Sequence, residues 1–202
     1  MKTTLNLLKT AAAAATLLTA VGAQATTIDF DAASVSQLNH INWLGSSFGS
    51  SYTEDGFTLQ SSGPFPVNSL VVADITYNAG SYAMAATSLA TTTLTAGSAF
   101  SIGSIDLLRA PSFSNWTVTF TGTKADSSTV MQSFTLNTAN WKTFTFGSSF
   151  TNLTSLSWNE GLVRIYAFDN INVTAVPEPE TYAMLLGGLG LVGFAARRRK
   201  SA

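Results

Sequence analysis

Trp116, Val118 and Phe120 alternate with Thr117, Thr119 and Thr121, and a period of two is the mark of a half-buried strand. One set of side chains must face a core and the other water. The pattern recurs along the chain. Val130, Phe134 and Leu136 alternate with Ser133 and Thr135, Phe144 and Phe146 with Thr143 and Thr145, and Leu156 and Trp158 with Ser155 and Ser157. Near the end Ile165, Ala167, Ile171 and Val173 share one parity. Turn residues punctuate these runs, among them Asp55-Gly56, Gly63-Pro64, Asn78-Ala79-Gly80 and Asn159-Glu160-Gly161. No segment between Thr26 and Val176 has a convincing helical apolar period. Strands spaced by roughly 10–14 residues predict an all-β fold, an antiparallel β-sandwich of jelly-roll-like type. Such folds commonly pair their first and last strands, which would set Thr27–Asp31 beside Phe168–Thr174. Ala32–Ser51 is the least regular stretch and reads as a long loop carrying His40 and Trp43.

The two ends read differently. Lys2 and Lys9, then an apolar stretch through Val21, then Ala23-Gln24-Ala25 form a secretory signal peptide over residues 1–25. At the other end Pro177-Glu178-Pro179 precedes an apolar run from Tyr182 to Ala196, which Arg197, Arg198, Arg199 and Lys200 close. A 15-residue helix is about 22 Å long, short of a hydrocarbon core of about 30 Å. Snorkelling basic side chains extend its reach. The basic cluster should stay cytoplasmic, leaving residues 26–176 outside. Gly187, Gly188, Gly190 and Gly193 give this predicted transmembrane helix a small-residue face suited to docking on another helix.

This tail, residues 177–202, resembles the PEP-CTERM sorting signal: Pro-Glu-Pro, an apolar span and an arginine cluster, in that order. The resemblance implies a Gram-negative host that makes exopolysaccharide, and an integral-membrane exosortase as partner. It implies an inner-membrane-anchored precursor that is then moved to the cell surface or extracellular matrix. It leaves open what the domain between the two ends binds.

Composition narrows that question. The chain is 46% hydrophobic and 10% charged, against about 25% charged in an ordinary soluble domain. Between Thr26 and Val176 four basic residues face nine acidic ones, a net charge of about −5 although the whole chain carries −1. With no basic patch, a nucleic-acid partner is not expected. The chain has no cysteine and one histidine, His40, so thiolate and multi-histidine metal sites are excluded.

Few residues invite chemistry. Asp169 shares the parity of Ala167 and Ile171, which places a carboxylate on the core side. Two readings stand: a structural Ca2+ site with Asp29 or Asp31, or an Asp bonded to backbone N–H groups or released by a bulge. Glu54-Asp55-Gly56-Phe57 reads as a turn before a strand. By parity Trp116 and Trp158 belong to the core, while Trp43 and Trp141 are the better candidates for stacking on a sugar. No Ser sits in a nucleophile-elbow pattern, and nothing selects a carboxylate pair. The chain therefore reads first as a non-catalytic exported protein associated with exopolysaccharide or biofilm. The alternatives are a carbohydrate-binding jelly-roll module and a glycoside hydrolase-like enzyme.

Overall fold

The computed structural model describes residues 25–31, 51–63, 70–73, 82–86, 89–109, 115–159, 161–162, 166–176, 185–193 and 197. The expectations for the signal peptide up to residue 24, His40 and Trp43 lie outside these residues. The chain divides into two compact units, one of them Gln24–Val176.

Among its described residues that unit has eleven strands: β1 (Ala25–Ile28), β2 (Ser51–Glu54), β3 (Phe57–Ser62), β4 (Leu70–Ala73), β5 (Ala83–Ala86), β6 (Thr91–Arg109), β7 (Trp116–Lys124), β8 (Thr129–Leu136), β9 (Lys142–Thr145), β10 (Leu153–Asn159) and β11 (Tyr166–Ala175). Every pairing is antiparallel. Strand β6 organises them. Its first part, Thr91–Ala96, lies between β3 and β10, and its last part lies between β11 and β9. A straight 19-residue strand would run about 60 Å, too long for a domain whose radius of gyration is about 15 Å. The strand therefore passes from one layer to the other. The first layer runs β2-β3-β6-β10-β7-β8, and the second contains β4, β5, β11, β6 and β9, with β1 beside β11.

Aromatic side chains from the inward faces join the layers. Trp158 of β10 meets Phe168 of β11 at 5.2 Å, Phe134 of β8 meets Phe144 of β9 at 4.9 Å, and Trp116 of β7 meets Tyr166 of β11 at 6.1 Å. These distances suit edge-on and tilted ring contacts. The expected pairing of first and last strands is present, with Ile28 opposite Ile171 and Ala25 opposite Thr174. The antiparallel, jelly-roll-like sandwich is thus the fold of this unit.

Two local features depart from simple alternation. Asp55 (φ 49°) and Gly56 (φ 80°) make the two-residue β2–β3 turn, the paired positive φ values of a type I′ hairpin. In β11 the sequence parity of Ala167, Asp169, Ile171 and Val173 does not hold. Tyr166 and Phe168 are buried on one side of a bulge, Ile171 and Val173 on the other, and Ala167 is only half-buried. The register slips between Asp169 and Asn172, with Asn170 at φ 48°. One extra residue in a strand exchanges its faces, and period-two reading cannot see it.

Candidate functional site

The bulge fixes Asp169. Its side chain is fully buried, and Oδ1 accepts the N–H of Asn170 at 2.7 Å. The carboxylates proposed as its partners accept other hydrogen bonds. Asp29 Oδ1 accepts the N–H of Asp31 at 3.1 Å, and Asp31 Oδ1 accepts the N–H of Tyr82 at 3.1 Å. Among the described residues, no three of His, Cys, Asp and Glu are grouped as a metal ion requires.

Glu54, read from sequence as part of a turn, has a larger part. Strand alternation turns it inward, beside Tyr52, while the turn itself is left to Asp55 and Gly56. Its Oε2 accepts both the Tyr52 hydroxyl, at 3.0 Å, and the Phe30 N–H, at 3.1 Å. Burial pushes Glu54 up to about 7, with the Asp29 carboxyl adding to the rise and the two donors opposing it. Burial and the Glu54 charge likewise raise the Tyr52 phenol.

Two of the tryptophans lie where their parity puts them. Trp116 and Trp158 are buried. Trp141 is half-buried at the start of β9, where Lys142 Nζ lies 5.1 Å from the Phe144 ring centre. Arg109, at the end of β6, is buried, and its Nε meets no acceptor among the described residues. The sequence gives no sign of this, because Arg109 closes an apolar strand by parity alone.

The first layer turns a different chemistry outward. On β7 and β8 the outward pairs are Thr117 with Thr135, Thr119 with Ser133, Thr121 with Met131 and Thr123 with Thr129. On β10 Ser157 lies beside Thr121 and Ser155 beside Thr123. Their other neighbours on β6 are Thr93 and Thr95, which in turn face Gln60 and Thr58 of β3. Rows made mostly of hydroxyls therefore cross the sheet, with Gln60 and Met131 at the ends of one of them, and some hydroxyls bond one another: Thr117 to Thr135 at 3.1 Å, Thr119 to Ser133 at 2.8 Å, and Thr53 to Thr58 at 3.1 Å.

In the other unit, residues 185–193 form a helix whose Leu186 and Leu191 are exposed, and Arg197 is exposed beyond it. No helix among the described residues is long and apolar enough to cross a membrane. Pro177, Glu178, Pro179, Arg198, Arg199 and Lys200 lie outside the described residues.

In the sequence the all-β unit is followed by a Pro-Glu-Pro segment, an apolar run and a basic cluster. Residues 175–200 match the family described as the PEP-CTERM protein-sorting motif, and the chain is a PEP-CTERM domain-containing protein. The motif is that of an exported, exosortase-sorted protein. No curated protein matches the chain. Among solved structures, a variant of the family 29 carbohydrate-binding module CBM29-2 is similar at 12% identity, with a TM-score of 0.45, covering 78% of this chain and 99% of that chain. A second, a CBM29-2 variant complexed with mannohexaose, is similar at 12% identity, with a TM-score of 0.44 and coverage of 76% and 93%.

Proposed function

We propose that the chain is a non-catalytic protein of the cell surface or extracellular matrix that associates with exopolysaccharide. The sorting motif at residues 175–200 carries this reading. It supports delivery beyond the inner membrane, and a domain so delivered works among secreted polymers. In the precursor, Arg197, Arg198, Arg199 and Lys200 hold the tail in the membrane, and Pro177-Glu178-Pro179 marks the segment at which exosortase releases it.

The test is fractionation and intact mass of the mature protein in a host that makes exosortase. The wild-type protein should lose its last residues and leave the inner membrane. A variant with Pro177, Glu178 and Pro179 replaced by Ala should keep both its tail and its membrane location. Wild-type protein that stays whole in the inner membrane would reduce the tail to a plain anchor.

A further inference from the structure

We propose that the outward face of the layer formed by β2, β3, the first part of β6, β10, β7 and β8 binds uncharged polysaccharide. This deepens the function proposed above and rests on it. The first ground is what the face lacks. Its outward residues are Ser or Thr throughout, except Gln60, Asn159 and Met131, and none ionises. An ordinary soluble domain is about 25% charged. The described charged groups of this domain lie at its rim or elsewhere: Lys124 ends β7, and Asp55 sits in the β2–β3 turn. Asp29 and Glu54 gather beside Phe30, Asp126 caps the β7–β8 turn, and Asp106 meets Asn170 in the other layer. A neutral polymer gains little from charges and would have to strip their hydration, which is costly. Hydroxyls are cheaper to dehydrate.

The second ground is what the face offers. A Ser or Thr hydroxyl is both donor and acceptor and rotates to suit its partner. A sugar hydroxyl has the same two capacities, so the two surfaces can match in many relative orientations. Each Thr also presents a methyl group to the C–H surface of a sugar ring.

The third ground is repetition. The hydroxyl rows recur about 4.8 Å apart across strands and about 6.8 Å apart along them. A single sugar would make only a few contacts, each of them weak. A polymer of repeating units engages many rows at once, and linked weak contacts multiply. The surface thus selects long chains over short ones. The domain's net negative charge disfavours polymers of uronic acids.

The experiment is affinity electrophoresis of the full-length protein in mild detergent, through gels containing a neutral β-glucan or alginate. Wild-type protein should be retarded by the β-glucan, more strongly by longer chains, and less by alginate. A variant carrying Thr93→Val, Thr95→Val, Thr121→Val and Thr123→Val keeps side-chain shape and removes four hydroxyls. It should bind the β-glucan at least about tenfold more weakly. A second variant, Thr93→Lys with Thr121→Lys, should lose binding too, and is read in its place if the first does not fold. Retention of wild-type affinity by the folded variants would overturn the face, as would loss of binding in Trp141→Ala alone. In either case the proposed function would stand. A wild-type protein retarded by no polysaccharide would overturn both.

Discussion

Glu54 carries a proton in the folded chain over a range where the unfolded chain has lost it. Its ordinary value is 4.5, and burial beside Asp29 pushes it up to about 7. Its stabilising contribution is therefore full below the lower value and is lost as pH rises through the upper one. Thermal unfolding should show the wild-type melting temperature falling between about pH 5 and pH 8. Glu54→Gln, which mimics the protonated acid, should flatten that part of the profile; equal slopes would show that Glu54 is not the titrating group. Asp169 is the other residue whose setting decides its role. Its parity marked it from sequence as buried, and it is buried. The reason was legible only in the structure, because the bulge that turns its carboxylate onto the Asn170 N–H leaves no pattern in residue order. Asp169→Ala should cost about 1–3 kcal/mol in chemical denaturation. Because Asp29 accepts the Asp31 N–H and Asp31 accepts the Tyr82 N–H, contacts that need no metal, chelator should leave the wild-type melting temperature unchanged. A chelator-sensitive melt in the wild type alone would instead restore the calcium reading.

Where two elements meet, side-chain volume and edge closure take over. Gly122 faces inward on β7, and a Cβ there would lie 2.9 Å from Leu153 and 3.1 Å from Val130. Leu153 is fully buried and has little room to retreat. Gly122→Ala should therefore destabilise by about 1–3 kcal/mol, measured by denaturant midpoint at unchanged slope. At the other side of β8, Gln132 bridges the layers. Its amide donates to the Thr145 carbonyl at 3.1 Å, and its oxygen accepts the Gly147 N–H at 2.8 Å. One side chain thus closes an edge that would otherwise expose unpaired backbone. Gln132→Ala should raise amide exchange in Thr145 and Gly147 while leaving β11 protected. Strand β7 was legible because its alternation is unbroken, and β10 was legible from Ser155 onward, past the register shift after Leu153, as were their buried tryptophans. The transfer of β6 between layers was not. From Ala96 to Ala99 small residues, half-buried except the exposed Gly97, replace the alternating pattern, and nothing there says which neighbour comes next.

Across the whole chain, sorting is written in sequence and ligand choice in surface. The Pro-Glu-Pro, apolar and basic order of the tail was legible because a translocation signal is read as a linear chain. Moving one basic residue into hydrocarbon costs about 2.5–3.5 kcal/mol, so four make passage of the tail very unfavourable. Replacing Arg197, Arg198, Arg199 and Lys200 by Ser should yield precursor with protease-accessible C-terminal residues on the outer side. Full protection of that tail would show that another feature sets its orientation. The hydroxyl face was not legible as one surface. Each strand shows its own Thr and Ser, but only the register of β3, β6, β10, β7 and β8 lines them up. The pairing of Ala25 with Thr174 also has a mechanical meaning. Both ends of the sandwich emerge at the same point from antiparallel neighbours, so tension applied through them loads the hydrogen bonds one at a time. The first and last strands would peel apart like a zip at low force, while the long seam between β6 and β11 is still intact. A domain pulled by its ends would lengthen in small early steps before the rest gives way.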